Sequence, residues 1–424
     1  MRGGADEWRR VALCDIGAFR NGVNFTRDDM GDSSHTTHRL INVKDVFRSG
    51  TCLDALELDG LDLPVSRATN HSGMKAGDIY FVRSSVKREG VGRVSLARES
   101  DDRVVHCGFL IRFRLHDEAV DPTFLAYALG SSAYRDQIVN LSSGSAITNL
   151  SQKALGELPV TVPPLPVQRK IAAVLSAHDD LIETNNRRIK LLEEMAHRIY
   201  REWFVDLRFP GHERVPSADS EFGMVPRGWR AGRLEDICAA QRQAFDAGSH
   251  AALPLLDMAR MRQGSIAVSD FGDPEELKTS RIIFEAGDVL FGSIRPNLRK
   301  VALAPVRGVT NTSVLVIRAH SSLWQPYLAV LLSSEAVNRW ATQRATGTKM
   351  PVIPWTGLRT MPILLPPESL GSAFADLASP ILREVQVLSA SITALEPIRD
   401  LLLPRLISRG IDVTDLDIAM PEAA

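Results

Sequence analysis

Between Pro166 and Pro210 the chain carries no proline, and its apolar positions recur alternately four and three residues apart. The stripe runs through Ile171, Leu175, Ile182, Ile189, Leu192, Ala196, Ile199 and Trp203, with His178 and Asn185 on the same line. Such spacing sets one seam along one face of a helix. Charged residues, among them Arg187, Arg188, Glu193 and Glu194, fill the remaining faces. The pattern predicts a helix of about 40 residues, about 60 Å long, which is too long for the interior of one small domain. A second stripe follows 203 residues downstream: Phe374, Ala378, Ile381, Val385, Leu388, Ile392, Leu395, Arg399, Leu402 and Leu406. Two stripes in one chain most simply bury each other, and we expect them to pack antiparallel. His178 and Asn185 either fix the register as buried polar seam residues or lie at a wet edge. Ser379-Pro380 suits a helix start. Pro397 should kink or break a helix, so the second helix is expected to be the less regular.

The offset of 203 is not confined to the seams. Leu125-Ala126 matches Leu328-Ala329, Leu129 matches Leu332, Gly144 matches Gly347, and Leu158–Pro164 matches Met361–Pro367. With small insertions the repeat extends upstream, pairing Ala76-Gly77-Asp78 with Ala286-Gly287-Asp288 and Trp8 with Trp229. A fixed offset with prolines and glycines in register marks two copies of one unit. In each copy the part before the seam reads as β-rich. Short apolar runs follow the Ala-Gly-Asp turns (Asp78–Val82, Asp288–Phe291), and similar strands lie at Phe109–Phe113 and Ser313–Ile317. A helix with proline in its first turn follows each, Pro122–Leu129 and Pro326–Leu332. The predicted fold is α+β: two tandem α/β domains, each followed by a long helix, the helices packed as an antiparallel coiled-coil spacer about a pseudo-two-fold axis. The expected boundaries are 1–163, 164–207 for the first helix, 208–225 for a Pro/Gly-rich linker, 226–366, 367–412 for the second helix, and 413–424 for a tail.

Composition adds restraint. Across 424 residues the formal net charge is −1. Stand-alone nucleic-acid binders usually carry a clear positive excess, so any such binding is expected to lean on local loops or on a partner. Cys14, Cys52, Cys107 and Cys238 form no Cys-x-x-Cys pair and read as reduced thiols of a cytoplasmic protein. No signal core or membrane-length apolar run is present in the sequence. The ten histidines show no metal-ligand spacing, and the amino-methylation motif Asn/Asp-Pro-Pro-Tyr/Phe and the P-loop are absent from the sequence. Gly90-Val-Gly92 before Arg93 lacks the third glycine of a dinucleotide loop and reads as a turn with a basic tip.

Several longer runs carry a family resemblance. Leu158–Ser176, Asp179–Ile189 and Trp203–Asp206 resemble the central conserved region of type I restriction–modification specificity subunits. Gly223–Trp229 resembles the family's Gly-x-x-Pro-x-Gly-Trp opening, and Leu401–Ser408 its distal conserved region. The resemblance implies that each globular part is a target recognition domain and that the subunit is non-catalytic. It further implies double-stranded DNA as the ligand, read as an asymmetric bipartite target. The partners it implies are two methylase subunits, which use S-adenosylmethionine, and two restriction subunits; ATP and magnesium belong to partners, with no cofactor or metal on this chain. A two-domain protein-interaction scaffold on a coiled coil is the alternative, slightly favoured by the net charge.

Base edges are read most often by Arg, Lys, Asn and Gln. Equivalent polar loops in the two copies are therefore the candidate contacts. After strand 78–82 come Arg83, Ser84, Ser85, Lys87, Arg88 and Arg93; their counterparts are Ser293, Arg295, Asn297, Arg299 and Lys300. The glycine loops Ser143–Asn149 and Thr346–Lys349 offer Thr148, Asn149, Thr348 and Lys349. Most are expected to position phosphates, which with sugars take roughly half to two-thirds of such contacts. Trp340 and Trp355 read as core rather than stacking platforms.

Overall fold

The computed structural model describes residues 8–31, 35–48, 50–53, 58–63, 73–142, 148–245, 253–277 and 280–418. The chain divides into two compact units, Met1–Leu181 with Glu396–Ala424, and Ile182–Leu395.

The repeat in sequence is a repeat in topology. The first unit holds a four-stranded antiparallel sheet in the order Gly17–Asn21, Leu110–Leu115, Ile79–Val82, Val94–Leu96. The second holds Cys238–Gln241, Val314–Ala319, Val289–Gly292 and Val301–Leu303 in the same order. The strands just before the long helices close each unit: Pro159–Val162 pairs with Arg9–Ala12, and Pro362–Leu365 with Arg230–Arg233. Two short helices cover each sheet, Pro122–Gly130 and Ser132–Asn140 in one unit, Gln325–Ser333 and Glu335–Arg344 in the other. The units differ in their insertions. The first adds a sheet of Met30–Gly31, Asp59–Leu61, His38–Ile41 and Val104–His106, whereas in the corresponding region the second, among its described residues, pairs Arg281–Phe284 with Gly308–Asn311.

The Ala-Gly-Asp turns show why those residues recur. Gly77 and Gly287 both sit at φ 89°, where a side chain would be strained. The aspartates that follow are buried, and each is gripped by an arginine on the neighbouring strand of the sheet. Arg114 donates from Nε and Nη2 to Asp78 at 2.6 Å each, and Arg318 donates to Asp288 at 2.6 and 2.8 Å. Two parallel charge-assisted bonds fix the turn's direction as well as its energy. Gln168 makes a comparable fixed joint at the start of the first long helix. Fully buried, it accepts from Asp121 N at 2.8 Å and donates to the carbonyls of Ala119 and Pro163 at 2.9 and 2.7 Å.

The first long helix is Leu165–Tyr200, ended by a π-turn at Arg201–Val205; the second is Glu368–Ile407. Each contributes to both units. In the first unit Ile171 and Leu175 share a core with Leu402 and Leu406, and Arg399 donates to Asp179 at 3.0 Å. In the second unit Asn185 donates to Ser391 at 3.2 Å and Arg188 to Glu384 at 2.9 Å, while the Tyr200 and Phe374 rings lie 6.3 Å apart. In each unit the numbers rise along one helix as they fall along the other, so the segments are antiparallel. Ile182, Ile189, Val385, Leu388 and Ile392 are buried here, with Leu192, Ile199 and Leu395 packed against them. Asn185 is buried and reaches across to the facing helix; His178 is half-buried and bonds its own helix at Val174 O.

Three expectations are corrected. The second helix is not the less regular: it runs unbroken through Pro380 and Pro397, and the irregular turn belongs to the first. Proline inside a helix costs about 3 kcal/mol, but a helix in a protein is stabilised chiefly by its buried face, and this one buries its stripe along its length. Glu193 is not on an outer charged face. It is buried, accepting from Ser265 Oγ at 2.7 Å and Ile266 N at 2.8 Å, and burial raises its pKa. The stretch read as linker contains a hairpin, Ser217–Ser220 paired with Gly223–Pro226, its turn closed by Gly223 at φ 85°. No described helix is long and apolar enough to cross a membrane.

Candidate nucleic-acid interface

Each unit's central strand leaves the sheet at Val82 or Gly292 and enters the basic loop singled out by sequence. Both loops start on the same backbone lattice. Arg83 N donates to Phe109 O at 2.8 Å and Ser293 N to Ser313 O at 2.9 Å. Leu150 N donates to Arg83 O, and Ile353 N to Ser293 O, both at 2.9 Å. Leu150 directly follows the first glycine loop and Ile353 lies four residues beyond the second, so the two candidate loops of each unit, far apart in sequence, are brought together. In the first unit Ser84 and Ser85 pair with Asn149 and Thr148, and Ser84 Oγ bonds Asn149 Oδ1. In the second, Ile294 bridges Val352 and Arg295 N donates to Pro351 O at 2.7 Å. Residues 143–147 of the first glycine loop, including Gly144, lie outside the described residues.

The individual candidates separate by environment. Lys87, Arg88 and Arg93 are exposed, with the Arg93 guanidinium 4.9 Å from the Phe47 ring centre. Thr148 is buried and Arg83 half-buried, its guanidinium donating to Gly108 O at 3.3 Å, so these two shape the loop from beneath. In the second unit Arg295, Asn297, Arg299, Thr348 and Lys349 are exposed. Lys300 is not free in the same way: its ammonium donates to Met258 O. Among the described residues Lys87, Arg295, Arg299 and Lys349 enter no salt bridge. Arg295 and Arg299 occupy the left-handed region, φ 48° and 51°, on either side of the turn Pro296–Leu298. Non-glycine residues held there cost about 1 kcal/mol or more each, a strain typical of functional loops. Trp340 and Trp355 pack against the core half-buried, and Arg344 stacks 3.7 Å from the Trp340 ring centre.

Sequence reasoning missed the residues that hold the loops. Arg135 donates to Val91 O at 2.8 Å and Glu89 O at 2.7 Å; Asn338, 203 positions later, donates to Pro296 O at 2.5 Å. Both project from the second covering helix onto carbonyls of the basic loop. Burial pulls the Arg135 guanidinium below its ordinary value, with the like charge of Arg93 adding to the effect. The shared offset was the available signal, although the chemistry differs between the copies.

Residues 73–194, which include the first basic loop and most of the first long helix, match the family described as type I restriction modification DNA specificity domain. The MjaIX type I restriction enzyme specificity subunit of Methanocaldococcus jannaschii is 25% identical over 340 residues, 78% of this chain and 77% of that one. The matched segment, residues 73–194, is similar to type I DNA specificity domains. The MjaVIII specificity subunit of the same organism is 21% identical over 321 residues, 73% of this chain and 74% of its own. In fold, the chain resembles the crystal structure of the type I restriction–modification S subunit from M. genitalium. That likeness has a TM-score of 0.61 and 14% identity and covers 100% of this chain and 99% of the other.

Proposed function

We propose that this chain is a type I specificity subunit that selects a bipartite, asymmetric DNA target and performs no chemistry of its own. The observation that carries the reading is the matched pair of loop platforms. Each unit presents exposed cations, Lys87, Arg88 and Arg93 or Arg295, Arg299 and Lys349, on loops held by the same backbone bonds. Similar stems with different tips suit two readers of different half-sites. Cationic tips supply the phosphate contacts that dominate affinity, and Arg, Lys and Asn supply base-edge donors. The partners are two methylase subunits carrying S-adenosylmethionine for adenine methylation, and two restriction subunits using ATP and magnesium. With a net charge of −1, the subunit chooses the site while its partners provide much of the grip.

A gel-shift series tests this. The chain alone should bind duplex DNA weakly, and adding the methylase should give tight, salt-sensitive binding to a two-part target. Absence of any gain with the methylase would overturn the reading and favour a protein scaffold.

A further inference from the structure

The two loop platforms differ in one respect that charge does not describe. In the first unit Val86, at the loop tip, is 83% exposed, and Phe109 is 59% exposed. Both line an open pocket of about 700 Å³, with Phe47, Ser84 and Lys87 also on its walls. Exposed aliphatic and aromatic groups in one place mark a binding surface rather than a random surface residue. Lys87 and Arg93 line the same pocket and Arg88 neighbours it; among the described residues Glu89 is the one carboxylate on its lining. The surface is thus apolar at its centre and mostly cationic around it.

Among the described residues of the second unit the counterparts of Val86 and Phe109 are not exposed apolar groups; the exposed apolar residue of that platform is Met350, 56% exposed, which follows the glycine loop instead. The hydrogen bonds that set the loop stems equate Phe109 with Ser313, whose hydroxyl bonds Asn311. Counting three residues on from Arg83 and Ser293 equates Val86 with Pro296, which is buried. A cationic rim fits the phosphates of a duplex. Among the base edges exposed in the major groove, the 5-methyl group of thymine is the apolar feature, and it is recognised by apolar side chains. We propose that the first unit reads a thymine: Val86 and Phe109 receive its 5-methyl group, while Lys87 and Arg93 contact the flanking phosphates. The stacking of Arg93 on Phe47 holds that cation at the pocket's edge. This assignment rests on the DNA-selecting function proposed above.

The experiment uses the full chain complexed with its methylase and duplexes carrying its own target. Each thymine of the half-site assigned to the first unit is replaced in turn by deoxyuridine, which removes the methyl group alone. One replacement should weaken wild-type binding about fourfold, the expected effect of one methyl group lost from an apolar contact. Val86→Ala should bring that ratio close to one and leave the second half-site's selectivity unchanged. A half-site without thymine, a wild-type ratio of one at every thymine, or a ratio that survives Val86→Ala would each overturn the proposal. If Val86→Ala instead weakens association with the methylase in the absence of DNA, the patch docks protein and the proposal fails. A complex that cannot tell its target from a scrambled duplex overturns the broader function as well. One that selects its target but ignores the methyl group overturns only this inference.

Discussion

Arg318→Leu should destabilise the second unit by about 3 kcal/mol. The substitution leaves the buried Asp288 carboxylate with the backbone N–H of Glu285, at 2.7 Å, as its remaining named donor. Removing one partner of a buried ion pair costs about 3–5 kcal/mol, because the other charge stays in a poorly solvated place. The lower end applies because the Arg318 side chain is 42% exposed, so water can partly replace it. The matching Arg114 is 25% exposed, and Arg114→Leu should cost somewhat more in its own unit. The assay follows from the placement of the tryptophans. Of the six, Trp203, Trp229, Trp324, Trp340 and Trp355 lie in the second unit and Trp8 in the first. Tryptophan fluorescence in a urea titration therefore reports chiefly the second unit. At about 2–3 kcal/mol per molar urea, Arg318→Leu should move its midpoint down by about 1 M. Arg114→Leu should leave the fluorescence midpoint nearly unchanged while a backbone signal from circular dichroism falls earlier. A fluorescence shift worth less than about 1 kcal/mol for Arg318→Leu, after the surface-pair range, would refute the claim that these forks fix the turns. The double replacement Asp288→Leu with Arg318→Leu should recover part of the loss, since no charge is then stranded.

Arg299→Gly should relieve a left-handed residue and raise the fluorescence midpoint modestly, by up to about 1 kcal/mol, while weakening DNA binding in a gel shift with the methylase. Lys349→Ala should reduce the slope of log affinity against log salt by about 0.9, one phosphate's worth; an unchanged slope would remove it from the interface. Asn338→Ala should impair discrimination at the second half-site while leaving the first intact, with methylation of single-base variants as the readout. Glu193 has its carboxyl pKa raised by burial. Its contribution to stability is fully present below the ordinary carboxylate pKa and is lost as pH rises through the folded value. Acidification from neutrality should therefore raise the second unit's midpoint in the wild type more than in Glu193→Gln, which can still accept from Ser265 and Ile266.

The helical seams were legible because burial against a partner stripe imposes a period, and period survives in sequence. The sheet strands were legible because the Ala-Gly-Asp turns announce them. Glu193 was not legible: a glutamate on a helix reads as solvent-facing until the hydroxyl and amide that satisfy it are known, and those come from residues about 70 positions away. The prolines misled because a local cost was set against no estimate of the face that offsets it. Among the candidate contacts, sequence listed both loops of each unit but not that they share a stem, since strand pairing between distant segments leaves no local pattern. It also treated Arg83, Thr148 and Lys300 as equivalent to the exposed cations, although the first two are drawn beneath the loop and the third is tied to a carbonyl.

The stems are closed by main-chain groups. The bonds from Leu150 to Arg83, from Ile353 to Ser293, and from Arg83 and Ser293 to Phe109 and Ser313 all run from amide to carbonyl, and every residue other than proline carries those groups. Tip residues can therefore mutate without loosening the frame that presents them. Selection can then change which sequence is recognised while leaving folding stability largely untouched. A protein under pressure to alter its targets gains an insulated variable segment, and an engineer gains a place to graft one.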